Sequence, residues 1–358
     1  MFPPLVGRRY FFVLEQNGKS NIVFLLVMSI IIFNSLKCYL KKRNGEINMI
    51  RFLLRRLTMS VATLLIIACL TFLLMNLVPG GPFLSEKAPS PQVLAAMEAK
   101  YGLDKPVGVQ MVTWIGDFAK GDLGVSFRLQ KNRPVKDIIL DLFPTSAKIG
   151  FIALAIAVIF GIPLGCVAAY HRGRWVDSLL QVITTLGIAI PSFVLASILL
   201  VIFGVYLKML PTLGLASWQS YLLPCFALAF YPLSYVARLT RSSMLDVIHQ
   251  EYIRTARSKG VAPVKIIFKH ALRNSVIPVI TYLGPLTAGI VTGSFVVESV
   301  FNIPGLGRYY IQSILGRDYP IIMATTVFYA ALLIAMNLLV DIIYKFIDPR
   351  IDVTGEVE

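Results

Sequence analysis

Glu251-Tyr-Ile-Arg-Thr-Ala-Arg-Ser-Lys-Gly260 and, further on, His270-Ala-Leu-Arg-Asn-Ser-Val-Ile-Pro278 belong to a polar, basic segment set between two long apolar runs. Tyr252, Ala256 and Gly260 stand at i, i+4 and i+8, so a helix presents them on one face. Two of the three are small, which lets a partner's surface approach the backbone. Gly260 is a C-terminal stop, and Pro263 suits the first turn of a new helix. In that second helix Val264, Ile267, Phe268, Ala271 and Leu272 make an apolar stripe, while Lys265, Lys269 and Arg273 line another face. The segment reads as helix, sharp bend and amphipathic helix.

The runs on either side fix the class of protein. The 358-residue chain is 56% hydrophobic and only 15% charged, with a mean hydropathy of +0.73. Its apolar runs reach the roughly 20 residues that cross a bilayer. A net charge of +15 raises nucleic acid as a partner, but the basic residues sit beside the ends of apolar runs, which is the mark of membrane topology. Cys69, Cys166 and Cys225 lie within runs and Cys38 just outside one, with no CxxC spacing, so they read as small buried apolar residues.

Six spans are predicted, at about residues 58–78, 146–169, 178–207, 220–237, 277–297 and 321–343. Arg51, Arg55 and Arg56 precede the first; His171, Arg172 and Arg174 follow the second. Arg238, Arg241, Arg254, Arg257, Lys259, Lys265, Lys269 and Arg273 crowd the loop after the fourth, and Lys345 and Arg350 follow the sixth. Lys208, and Arg308 with Arg317, are all that the turns after spans three and five carry. Positive charge on the inner side then puts both ends of the six-span unit in the cytoplasm. The expected fold is an all-α integral membrane protein with an extracytoplasmic cap between helices 1 and 2.

That cap, residues 79–145, is too long for a bare connector. Ser90-Pro91 reads as a helix start with Leu94, Met97 and Tyr101 on its apolar face and Gly102 as its stop; Val107, Met111, Trp114, Ile115 and Phe118 make a second amphipathic helix. Within the spans, Gly289-Ile-Val-Thr-Gly293 is a close-packing signature. It serves either helix packing inside the subunit or, with Gly284, a pathway-lining helix. Thr184, Thr185, Pro191 and Ser192 in span three are similar candidates.

The basic segment resembles the cytoplasmic coupling loop of binding-protein-dependent ABC transporter permeases. The family's Glu-Ala-Ala, three residues and Gly are met here by Arg254-Thr255-Ala256, three residues and Gly260, and its later Ile-x-Leu-Pro by His270-x-Leu272-Arg273. Pro79-Gly-Gly-Pro-Phe83, Gly121-Asp-Leu-Gly-Val-Ser-Phe127, Glu298-Ser-Val-Phe-Asn-Ile-Pro-Gly-Leu-Gly307 and Asp348-Pro-Arg350 extend the likeness over about Met49 to Ile351. The form is that of the peptide and nickel branch, most like the B-type permeases of oligopeptide importers.

The resemblance implies a six-helix, non-catalytic subunit of the bacterial cytoplasmic membrane, paired with a homologous second permease. It also implies two cytoplasmic ATPase subunits, an extracytoplasmic solute-binding protein, and oligopeptide cargo with dipeptide, nickel and glutathione importers as near neighbours. The chain itself would bind no cofactor or metal; ATP and Mg would be used by the partner ATPases. Glu251, Tyr252, Arg254, Thr255, Ala256, Lys259, Gly260, His270, Leu272 and Arg273 would form the ATPase-coupling loop, within residues 241–275.

The chain has no Gly-x-x-x-x-Gly-Lys-Ser/Thr phosphate loop, no HExxH and no GxSxG. His171, His249 and His270 have no carboxylate and nucleophile patterned around them. The apolar cores of the spans hold no Asp, Glu, Lys, Arg or His, whereas a proton-coupled carrier needs such a group. A secondary transporter, a channel and an intramembrane enzyme are therefore disfavoured, and energy enters through the cytoplasmic loop. Residues 1–48 stand apart: their apolar core, Ile22 to Phe33, is short and flanked by basic residues on both sides. They read as an extension upstream of a natural start at Met49, with an extra hydrophobic segment as the alternative.

Overall fold

The computed structural model describes residues 49–77, 92, 98–99, 102–291 and 294–347. The expectations for residues 1–48, for the Pro79 to Phe83 motif, for the helix after Ser90, for Gly293 and for Asp348-Pro-Arg350 lie outside these residues. The chain divides into two units, residues 1–57 with 352–358, and residues 58–351. Of the first, only the opening of α1 is described.

Helix α1 is Met49–Leu77. α2, Val107–Ala119, follows Gly102, whose φ of +68° turns the chain out of the preceding residues; Leu103 donates its N–H to the Glu98 carbonyl at 2.8 Å. α3 is Val135–Tyr170 and α4 is Trp175–Ala189. α5, Ser192–Leu199, runs on as a π-helical stretch Leu200–Tyr206. A 3₁₀ turn, Trp218–Tyr221, capped by Ser217 and Ser220, leads into α6, Leu222–Ile248. α7 is Glu251–Ser258. α8, Pro263–Lys265, passes through a π-helical turn Ile266–Ala271 into α9, Leu272–Ser275. α10 is Ile277–Val291, α11 Phe295–Val300, α12 Leu306–Gly316 and α13 Tyr319–Ile347. No strand forms among the described residues; Val125 and Pro134 make one isolated bridge.

Among the described residues, five stretches are long and apolar enough to cross a membrane: Leu54–Leu77, Val135–Tyr170, Trp218–Ile248, Ile277–Val300 and Tyr319–Leu339. The span predicted at 178–207 is not one helix. α4 and α5 meet at 104°, so the count reaches six when this bent pair is one span. The cause is Pro191, which has no N–H to give the preceding turn and holds Ile190 in an extended conformation (φ −82°, ψ 121°).

Two boundaries also move. α3 starts at Val135, inside the segment expected to be extracytoplasmic loop. Val135, Ile138, Ile139 and Leu142 fall at helical spacing, and the first three are buried against Leu306, Ile321 and Ala324. α6 runs to Ile248, so Arg238 and Arg241 are helical residues rather than loop.

Small residues let α3 and α6 lie close together. A Cβ on Gly165 would come within 2.5 Å of the Ala237 carbonyl, and one on Gly161 within 2.9 Å of the Leu233 carbonyl. This spacing of four makes a small-residue seam on α3. The sequence had placed the seam at Gly289, where an added Cβ meets nothing within 4 Å. Gly187 brings α4 onto α6 in the same way, against Ser234.

The cap helix α2 also differs from expectation. Trp114 lies 6.1 Å (ring centroids) from Phe72 of α1 and 5.7 Å from Phe118. Its aromatic face therefore packs on α1, while Val107, expected in the packed face, is exposed.

Candidate functional site: a basic loop and two buried carboxylate clamps

The basic segment folds as the sequence predicts, and the reason is local. Gly260 adopts φ +73°, a left-handed conformation that costs other residues about 1 kcal/mol or more. Val261 and Gly260 donate back to the Ala256 and Arg257 carbonyls at 3.2 and 2.9 Å, closing α7. Pro263 then opens α8 at its first turn. The Asn274 amide donates to the Tyr252 hydroxyl at 2.8 Å, tying α9 back to α7 across the bend.

The faces are distributed differently from the expectation. Ala256, predicted to meet a partner beside Tyr252 and Gly260, is only 9% exposed. It packs with Ile253, Cys166, Ala169, Met244, Val247, Ile266, Ile267 and Ala271 in one apolar cluster. Its smallness serves the segment's own packing on the ends of α3 and α6. Ile253, fully buried, is the anchor that motif matching passed over, although it stands at helical spacing from Ala256 and Arg257.

The π-helical turn splits the apolar stripe of the second helix. Ile266, Ile267 and Ala271 turn inward, whereas Val264 and Phe268 stay 62% and 49% exposed beside a shallow apolar hollow lined by Cys166, Val167, Tyr170 and Ile267. Glu251, Arg254, Thr255, Lys259, Gly260 and Arg273 are exposed around it, and His270 and Leu272 are half-buried. The outward surface is thus an apolar spot within a basic rim.

An ion pair joins α4 to α6, the helix on which this segment packs. Arg241 donates from Nε and Nη2 to the two Asp177 carboxylate oxygens at 2.7 and 2.8 Å. Gly173 N–H and the Gln181 amide satisfy the same carboxylate at 3.0 and 3.1 Å. Asp177 is 2% exposed, and the bidentate geometry is the strong form of such a pair.

On the opposite side of the spans, two motifs are held by buried carboxylates. Asp318 accepts the Ser126 hydroxyl at 2.6 Å and the Arg128 and Leu129 N–H groups at 2.9 and 3.0 Å on one oxygen, and the Phe127 N–H at 3.1 Å on the other. Arg128 Nη1 donates to the Gly316 carbonyl at 2.9 Å. Burial and the nearby Asp318 charge push the Tyr309 phenol above its ordinary value. Glu298, 2% exposed, accepts the Arg308 N–H at 2.9 Å, and Ser146 accepts the Leu306 N–H at 2.9 Å. This fastens the Pro304-Gly-Leu-Gly307 turn to α3.

The remaining candidates scatter. Thr184 is buried and donates to the Gln181 carbonyl. Thr185 is exposed, donates to the same carbonyl at 2.7 Å and accepts from Arg238 Nη2 at 2.8 Å. Pro191 and Ser192 form the break between α4 and α5. Gly284 is buried and Gly289 exposed. Among the described residues no group of three or more His, Cys, Asp and Glu side chains gathers to hold a metal ion.

The chain is thus a helical membrane protein with a folded basic segment at one end of α3 and α6, and comparison with known proteins gives its family. Residues 161–353 match the family described as binding-protein-dependent transport system inner membrane component, and residues 49–150 match the N-terminal part of the same membrane component. The chain belongs to this family. It is 46% identical over 306 residues to the dipeptide transport system permease protein DppB of Bacillus subtilis, covering 85% of this chain and 98% of that one. It is 42% identical to the oligopeptide transport system permease protein OppB of Haemophilus influenzae, over 85% and 99% of the two chains. Against a solved structure, the inward-facing MetNI methionine ABC transporter, the TM-score is 0.51 at 17% identity, over 59% of this chain and 96% of the other; this likeness is one of fold. The protein is a multi-pass membrane protein of the permease type.

Proposed function

We propose that this chain is a permease subunit of an ATP-driven importer of oligopeptides or dipeptides in the cytoplasmic membrane of a bacterium. The observation that carries the reading is the basic segment: a compact body packed on α3 and α6, with Val264 and Phe268 left outward. The relatives named as dipeptide and oligopeptide permeases support peptide cargo over nickel or glutathione.

The subunit pairs with a homologous permease, its six-span unit has both termini in the cytoplasm, and a binding protein delivers peptide to the side bearing α2, α11 and α12. Two ATPase subunits dock on residues 241–275 and use ATP with Mg; this chain binds neither and catalyses nothing. ATP closes the ATPase pair, and the segment passes the displacement to α3 and α6. Cargo and nucleotide must each interact differently with the inward- and outward-facing states for the cycle to run. Residues 1–48 are an extension outside this machinery.

The test is reconstitution of both permeases, the ATPases and the binding protein in liposomes. ATP-dependent accumulation of a labelled peptide that stops when the binding protein is withheld is the expected result. Uptake driven by an ion gradient without ATP would refute the reading.

A further inference from the structure

More than half of the apolar window of α6 is enclosed by other helices, yet its inner half keeps one line of open residues. Tyr231, Tyr235, Arg238, Ser242 and Asp246 follow one another at spacings of four, three, four and four and are all exposed, which places them on a single face. The line is flanked on both sides. Arg238 reaches Thr185 of α4, and Tyr235 stacks on Tyr282 of α10 with ring centroids 4.0 Å apart and 23° between planes. The Tyr231 and Tyr282 hydroxyls are neighbours. The result is a polar strip on α6 that touches α4 through Arg238 and α10 through Tyr235.

Depth and charge make this strip unlike a lipid-facing surface. At 1.5 Å per residue, Tyr231 lies about 20 Å from Trp218 and about 25 Å from Ile248, near the middle of the apolar span Trp218–Ile248. Tyrosines of an interfacial belt sit at the headgroup level instead. Arg238 has a neutral hydroxyl as its side-chain partner and no acidic partner among the described residues. Polar and charged groups on a span face the bundle interior or water.

We propose that this face, centred on Tyr231, Tyr235 and Arg238, is the wall along which peptide passes, and that Arg238 takes the peptide's terminal carboxylate. The assignment rests on the peptide-permease reading above and adds the residues that meet the cargo. Phenol hydroxyls both donate and accept, so they serve a passing backbone N–H or C=O without selecting side chains. A guanidinium matches a carboxylate with two parallel hydrogen bonds. Together they explain how one wall serves many peptides.

Two measurements on the reconstituted complex decide the matter. Tyr231→Cys and Tyr235→Cys, in a background without other cysteines, are exposed to a charged water-soluble thiol reagent, with Phe160→Cys on the apolar outer face of α3 as control. The expected result is reaction at least tenfold faster than the control and slowed by saturating peptide. Reaction as slow as the control would mean the face meets lipid, and cross-linking of position 231 to the second permease in place of reaction would mean a subunit contact; either overturns the assignment. Arg238→Gln should raise KM about tenfold for uptake of a peptide with a free carboxylate and leave a C-terminally amidated peptide unaffected, with partial recovery in Arg238→Lys. Equal loss for both peptides would remove the carboxylate role. Failure of uptake by the unsubstituted complex would count against the peptide-permease reading, while the labelling result stands apart from it.

Discussion

Ser126 donates a 2.6 Å hydrogen bond to the buried carboxylate of Asp318 across 192 residues of sequence. Three backbone N–H groups converge on the same carboxylate, so the loop between α2 and α3 and the corner between α12 and α13 form one body. Asp318→Ala leaves those donors buried without an acceptor. Hydrogen bonds to a charged group contribute about 1.5–3 kcal/mol each, and a loss of at least about 3 kcal/mol is expected for the set. Ser126→Ala should cost about 1–2 kcal/mol. Denaturant midpoints in detergent, compared for both variants, measure the difference; equal midpoints would show that the clamp contributes nothing.

The Asp177–Arg241 pair carries a second prediction. Breaking a buried pair by removing one partner costs about 3–5 kcal/mol, because the other charge stays buried alone. Asp177→Asn and Arg241→Gln should each lower the thermal midpoint and impair ATPase retention on the complex. Asp177→Arg combined with Arg241→Asp should recover part of the loss. Singles that retain the ATPases as well as the unsubstituted chain would separate this pair from coupling.

Docking is best tested at Phe268 rather than at Gly260. An added side chain at Gly260 meets open space, but its φ of +73° strains any other residue, so substitution there mixes local strain with lost contact. Phe268→Glu places a charge on the outward apolar spot while leaving Ile253, Ala256 and Ile267 in their cluster. A charge desolvated at an interface costs several kcal/mol, enough to lose a micromolar complex at ordinary concentrations. Co-purification of the ATPases should fall at least tenfold. Lys269→Ala, on the solvated rim, should change affinity by less than about 1 kcal/mol.

The α3–α6 seam gives a contrast within one residue type. Gly165→Ala forces its Cβ against the Ala237 carbonyl and Thr240 and should destabilise by about 1–3 kcal/mol, as overpacking does. Gly289→Ala has open space around the added Cβ and should not destabilise, since alanine is the better helix former. A thermal scan in which Gly289→Ala is the worse of the two would overturn the packing assignment.

Deletion of residues 1–48 should leave membrane insertion and peptide uptake unchanged. Fractionation and uptake by the truncated chain check this, and loss of insertion would show that the segment is topogenic.

The bend from α7 to α8 was legible because Gly260 and Pro263 act locally, and α2 because its apolar spacing is helical. The break at Pro191 was not. Pro144, Pro163, Pro232 and Pro285 all lie inside continuous helices, where neighbouring groups accommodate the missing N–H. Which proline breaks its helix is decided by packing that no local pattern records. The early start of α3 was hidden by Lys136, Asp137 and Asp141, which lower the average apolarity of turns whose other face is buried. Ala256 was legible as a small residue but not as an inward one, because the motif describes composition and not the side on which a neighbour lies. Asp177 and Arg241, 64 residues apart, and Ser126 and Asp318 meet through tertiary structure alone.

The 36-residue length of α3 has a kinematic meaning. At 1.5 Å per residue it is about 54 Å long, well beyond the bilayer core. The turns at one end, with Cys166 and Ala169, are embedded in the basic segment's cluster, and those at the other, Val135 to Ile139, are embedded beneath α12 and α13. Were such a rod to tilt by about 5° around its midpoint, each end would move about 2 Å, in opposite directions, by the same helix rise. In the proposed cycle, a push delivered near Phe268 would then reach the Pro304–Gly307 turn, held to α3 at Ser146, with its sense reversed.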